Sequence, residues 1–274
     1  MAAGAEVRGL RVAKGYLRCD TDDMFWCDVQ RDSVLATGAD AATFLQSQLS
    51  QDIRPLQTGD STWSFVLTPT GKVEALVRVL RRDETTFVLD TDSGFGEALV
   101  ARLSRFKIRV AVEFIPLERR IVAVRPLDGV PVPQPAGVAG VLVAWGSGFD
   151  LDVTDSAEVL DDIARGSAAQ LEAARVEACW PAMGAEIEPG ETVPAETGVV
   201  AVAVSFSKGC YPGQELVERM DSRGARAPFR LETVDVAPGA VPGDDWSVDG
   251  EVAGRLTSVA DRRAIARVRR STAA

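Results

Sequence analysis

Phe206-Ser207-Lys208-Gly209-Cys210-Tyr211-Pro212-Gly213-Gln214-Glu215-Leu216-Val217-Glu218-Arg219 follows directly on the β-branched run Val199-Val200-Ala201-Val202-Ala203-Val204-Ser205. That run, through Phe206, reads as a buried strand or a fully buried segment. Gly209 and Pro212-Gly213 then turn the chain, and a helix opens near Gln214. A thiol held near a helix N-terminus, two residues from Lys208, has its thiolate favoured by both positive ends, as a nucleophile or metal ligand requires. Cys210 is therefore the candidate reactive cysteine, with Lys208 beside it. The alternative is an ordinary buried cysteine at a turn. Cys19, Cys27 and Cys179 read as ordinary structural cysteines.

Working outward, Ser156–Ala164 and Ser167–Ala178 are amphipathic and begin with good capping residues. Gly140–Trp145 reads as a strand, and the Pro- and Gly-rich stretch Pro126–Gly137 as an exposed linker. In the N-terminal part, Phe44, Leu45 and Leu49 share a helical face that Asp40 is placed to cap. Trp63–Leu67, Lys72–Leu80 and Thr86–Leu89 read as a strand meander with a Thr68–Gly71 turn. Ser93–Phe106 resumes helical periodicity and Ile108–Phe114 alternates as a strand. Beyond Pro228, short apolar pieces (Phe229–Val236, Asp245–Val252, Arg255–Ala260, Ala264–Val268) between Pro-Gly and Asp-Gly turns predict a small all-β unit. The division expected is 1–125, 126–227 and 228–274. Arg262, Arg263, Arg267, Arg269 and Arg270 read as solvent-facing positions of an alternating strand.

Composition narrows the chemistry. The 274 residues contain no histidine, which removes Ser-His-Asp triads, Cys-His dyads and His-ligated zinc. The net charge of -10 repels phosphate backbones, so direct nucleic-acid binding is not expected. Four cysteines without a CxxC pair make neither a disulfide framework nor a closed metal site. No apolar run approaches the roughly 18 residues of a membrane span, and Met1–Gly9 carries Glu6 and Arg8 rather than an apolar core. A cytoplasmic, monomeric protein without membrane contact is the expectation.

Lys208-Gly209-Cys210-Tyr211-x-Gly213-Gln214-Glu215 resembles the signature of the YgfZ-type folate-binding proteins, relatives of the glycine cleavage T-protein, a tetrahydrofolate-dependent aminomethyltransferase. Further pieces match in order: Gly38-x-Asp40-Ala41-x-x-Phe44-Leu45-Gln46, Gln48-Leu49-Ser50-Gln51-Asp52, the Gly71-Lys72 turn, Arg175-Val176-Glu177, Pro194-x-Glu196 and the segment from Gly250 to Arg270. The resemblance implies an α+β, aminomethyltransferase-like three-module fold around a folate-binding hole, with a small C-terminal β-barrel. It also implies tetrahydrofolate or a derivative as cofactor, and iron-sulfur client proteins, tRNA-modifying enzymes among them, as partners.

A pterin presents an amino group and a ring N–H side by side, an edge that a carboxylate accepts in bidentate fashion. Glu196 is the first choice for that role and Glu177 the second, Glu177 otherwise being an ion-pair partner of Arg175. Arg230, with Arg219 or Arg226 as alternatives, suits the anionic tail. Trp180 or Tyr211 could stack on the ring. Asp52, Gln214 and Glu215 complete the expected folate-binding set. Relatives with transferase activity carry an acid where Leu76 aligns, so the resemblance implies that folate binding was kept while transfer was lost. Glu74 is the one nearby carboxylate that could substitute. Relatives also carry glycine where Cys179 stands. Without histidine or a cysteine pair, no metal site is expected beyond Cys210 as a single cluster ligand shared with a partner.

Overall fold

Gly71, at φ 87°, turns the chain back between two apolar strands, and that hairpin seeds the largest sheet. The computed structural model describes residues 24–127, 141–142, 145, 148–152, 160, 163–222 and 227–270. In chain order the elements are β1 (Met24–Val29), β2 (Arg31–Thr37), α1 (Ala41–Gln48), β3 (Ser61–Leu67), β4 (Val73–Arg81), β5 (Thr86–Asp92), α2 (Gly96–Ser104), β6 (Glu113–Leu117) and β7 (Ile121–Pro126). They continue as β8 (Val141–Leu142), β9 (Phe149–Asp152), β10 (Ala164–Arg165), α3 (Ala168–Glu177), α4 (Val200–Ala203), α5 (Gln214–Ser222), β11 (Phe229–Asp235), β12 (Asp245–Val248), β13 (Glu251–Ala260) and β14 (Arg263–Arg269).

Three sheets result. One runs β3-β4-β5-β2-β6, one β10-β1-β7-β9-β8, and one β11-β14-β13-β12. The position between residues 125 and 126 lies inside β7, whose sheet draws strands from both sides of it. The C-terminal sheet uses only strands after Pro228. The first two sheets meet across a buried ionic network. Arg78 on β4 faces Asp90 directly across β5 at 2.8 Å and also reaches Asp150 on β9, which Arg125 on β7 meets at 2.8 Å. Arg31 on β2 binds the same Asp90 at 2.9 Å. Such charges are tolerable in an interior only when paired, so the network specifies how the two sheets dock.

Several expected elements differ. Asp40 does not cap α1 with its side chain; Oδ2 instead accepts the Ala111 N–H at 2.7 Å, tying the helix start to the chain entering β6. The strand expected at Ile108–Phe114 begins only at Glu113, because residues 107–112 have no strand partner. Val199–Phe206 is no strand: Val200–Ala203 forms one helical turn, whose local bonds outweigh the β preference of valine. The Asp249-Gly250 turn splits Asp245–Val252, and Val252 continues with Arg255–Ala260 as a single strand. Ala164, the expected helix end, pairs in β10 instead. Residues 128–137, most of the expected linker, lie outside the described residues, as do 156–159, Arg226 and Cys19.

Candidate functional site

The signature segment is bound to α1 and its C-terminal extension by backbone. Lys208 Nζ donates to the carbonyls of Gln46, Leu49 and Gln51 at 2.6, 2.5 and 3.2 Å. Ser50 Oγ donates to the Ala203 carbonyl at 2.6 Å, and Gln51 Nε2 to that of Val202 at 2.9 Å. Two sequence motifs more than 150 residues apart are thus one structural unit. Gly213, at φ 82°, lies where a Cβ would fall 2.5 Å from the Thr68 carbonyl oxygen and 2.7 Å from Gly71 Cα, so the turn packs backbone on backbone against the β3–β4 hairpin. Gln214 opens α5 while its Oε1 accepts the Tyr211 N–H at 2.9 Å.

These contacts reassign the expected roles. Lys208 spends its ammonium on helix-end carbonyls, and burial pushes its pKa down to about 8. Tyr211 is buried beneath it, ring centroid 5.2 Å from Nζ, and burial pushes its hydroxyl up to about 12. Asp52 is held by Arg54, the main reason its carboxyl sits low at about 2, and it also accepts from Gln46. Cys210 remains exposed with a free thiol, and Glu215 and Arg219 are exposed on α5.

The remaining expected folate residues do not converge on this loop. Glu196 ends the 3-10 turn Pro194–Glu196 and is buried, its Oε2 3.0 Å from Arg267 Nη2 on β14; burial raises its pKa against that arginine. Arg267 is therefore no bland solvent-facing residue. Arg230 pairs with Glu232 at 2.5 Å. Trp180 packs at 4.8 Å against Trp63. Arg175 ignores Glu177 and instead joins Glu172, buried Glu186 and Ser258. Leu76 is buried in β4 with no polar atom on its side chain, and Glu74 lies toward Arg102. Cys179 adopts φ 49°, a conformation that glycine takes without cost.

Glu177 lies elsewhere. It lines a cavity of about 620 Å³ where the β1–β7 sheet, α3 and the β13–β14 turn meet. The residues of α3 and its end in the wall are Gln170, Ala173, Ala174, Glu177 and Ala178, the i, i+3, i+4, i+7, i+8 stripe that normally carries large apolar side chains into a core. Here Ala173 and Ala174 stand between Gln170 and Glu177, with Ala178 just past the helix end, so short side chains leave a slot. Opposite stand Phe25, Trp145 and Arg125, with Arg262 and Arg263 at the turn. Arg125 is fully buried, its guanidinium carbon 4.0 Å from the Trp145 ring. Nη1 binds the Val124 and Phe149 carbonyls, but among the described residues Nε and Nη2 have no acceptor. Burial, reinforced by Arg78 and Arg31, pushes its pKa down to about 9. Spacing along α3 could have revealed the slot; Arg125 and Trp145 carried no sequence signal.

The fold is that of an aminomethyltransferase: 90% of this chain superposes on 79% of the glycine cleavage system aminomethyltransferase T of Bartonella henselae, with a TM-score of 0.68 and 19% identity. By sequence, the chain is similar to YgfZ proteins. It is 28% identical to the tRNA-modifying protein YgfZ of Escherichia coli over 216 residues, 69% of this chain and 65% of that one. It is 26% identical to the tRNA-modifying protein YgfZ of Vibrio vulnificus over 251 residues, 80% and 75% of the two chains. An uncharacterized protein of Haemophilus influenzae is 27% identical over 202 residues, 70% and 67%. The chain thus spans about two thirds to three quarters of these relatives' lengths. No protein-family model matches it. No helix among the described residues is long and apolar enough to cross a membrane.

Proposed function

We propose that the chain is a tetrahydrofolate-binding accessory protein that supports iron-sulfur enzymes, tRNA-modifying ones among them. The slot carries the folate part of this reading. Its volume of about 620 Å³ is in the range of small-molecule sites. Its shape suits a flat ring between the alanine face of α3 and the Phe25–Trp145 wall. Glu177 accepts a pterin N–H, and Arg262 favours the ligand's anionic tail. A bound tetrahydrofolate supplies a one-carbon acceptor nitrogen. Leu76, aligned with the transferase acid, lies in β4 outside the slot lining and has no titratable group, which favours binding without aminomethyl transfer.

Cys210, exposed and clear of the slot lining, offers one thiolate toward a cluster whose other ligands come from a partner or a small thiol. Anaerobic calorimetry with tetrahydrofolate tests the folate reading: saturable binding is expected, lost in Glu177→Ala and kept in Glu196→Ala. No binding to the folded chain would leave only an interaction module. Cys210→Ser is expected to abolish activity toward iron-sulfur enzymes in cells while leaving fold and folate affinity intact, and a fully active variant would sink the thiol's role.

A further inference from the structure

Glu177 does not face the slot alone. Arg263 lies against it, Nε 3.0 Å from Oε2 and Nη2 3.4 Å from Oε1, while Nη1 is anchored on Asp235 Oδ1 at 3.0 Å. Both side chains line the slot. An ionised carboxylate has about four acceptor positions; the fork of Arg263 takes the facing one on each oxygen, and the outer one on Oε1, beside Nη2, remains for a ligand edge. A carboxylate and a guanidinium held side by side form a composite recognition edge, an acceptor followed by a donor.

The edge of a 4-oxo pteridine is the complement: an amino N–H, a ring N–H, then a carbonyl oxygen. The ring N–H donates to Glu177 Oε1 and the oxygen accepts from Arg263 Nη2. In a 4-amino pteridine the ring nitrogen is an acceptor facing the carboxylate, and the third group is an amino donor facing guanidinium donors. Two positions are then mismatched. A site built around specific hydrogen bonds rejects such an analogue strongly, because its own polar groups are left unpaired. Resting on the folate reading above, we infer that Arg263, through its pairing with Glu177, makes the slot selective for the 4-oxo over the 4-amino pteridine edge. Arg263 then determines specificity, and Asp235 holds it in the required orientation.

The test is anaerobic calorimetry with tetrahydrofolate and 4-amino-4-deoxytetrahydrofolate, which share one tail, on the wild-type chain and on R263A. Arg263 is 39% exposed at a sheet edge turn, so its loss is not expected to unfold the protein, and circular dichroism run in parallel checks this. The wild type is expected to prefer the 4-oxo compound by at least about tenfold, and R263A to cut that ratio by about threefold or more, the mismatch at Glu177 remaining. Equal affinities in the wild type, or a ratio unchanged in R263A, would overturn the role of Arg263 while leaving the folate reading standing. Absence of binding of either compound to the folded wild type would overturn both.

Discussion

The signature loop and the α3 slot are built on opposite plans. In the loop almost every polar group finds an internal partner: Lys208 has three carbonyls, Gln214 caps its own turn, and Gly213 sits backbone to backbone on Gly71. In the slot, packing stops short. Alanines stand where large side chains would close the wall, and among the described residues Arg125 keeps two idle donors. The conspicuous motif is thus mainly scaffold that presents one thiol, and the room for a small molecule lies where the sequence is plainest.

The sharpest way to break this contrast is to substitute within the loop. Gly213→Val places a branched side chain against backbone at positive φ and is expected to cost about 4 kcal/mol or prevent folding, read by urea denaturation. Gly209→Ala, with nothing within 4 Å and no positive φ, should be near neutral. Equal costs at the two glycines would show that the loop is not held as described. Next, Lys208→Met strands three carbonyls and should cost about 2 kcal/mol, yet change alkylation of Cys210 by iodoacetamide less than about twofold. A collapse in alkylation would return Lys208 to the thiol.

In the slot the expected signs reverse. Ala173→Leu fills empty space, so it should weaken tetrahydrofolate binding by about tenfold or more while stability stays within about 0.5 kcal/mol. Unchanged binding would place the ligand elsewhere. Cys179→Gly relieves φ 49° just beyond α3 and should stabilise by about 1 kcal/mol in the same denaturation assay.

The smallest expected effect is electrostatic and lies beside the loop. Asp52 has a folded-state pKa of about 2, below its ordinary 3.8, so its ion pair stabilises the fold above pH 3.8 and that contribution fades as pH falls toward 2. Its partner Arg54 is largely exposed, which screens the pair and leaves about 1 kcal/mol or less. Asp52→Asn should therefore lower stability slightly at neutral pH, flatten the acid limb between those pH values, and leave stability below about pH 2 nearly unchanged. An unaltered acid limb would mean that the pair contributes nothing.

Local chemistry is what the sequence determined by itself. The meander, the α3 capping box of Ser167 and Gln170, the Gly71 and Gly213 turns and the start of α5 all follow from periodicity and turn residues acting over a few positions. Cys210 and Glu177 likewise entered as candidates from their local motifs alone. The valine run misled because β preference is a weak prior against the bonds of one helical turn. Partnership was decided only by the tertiary structure: Glu196 with Arg267, Glu177 with Arg263, Lys208 with the end of α1, and Arg125 over Trp145. Those pairs join residues from 20 to 162 positions apart. Which charge meets which, and where space is left open, depends on how sheets and helices dock, and no local pattern in the chain encodes that distance.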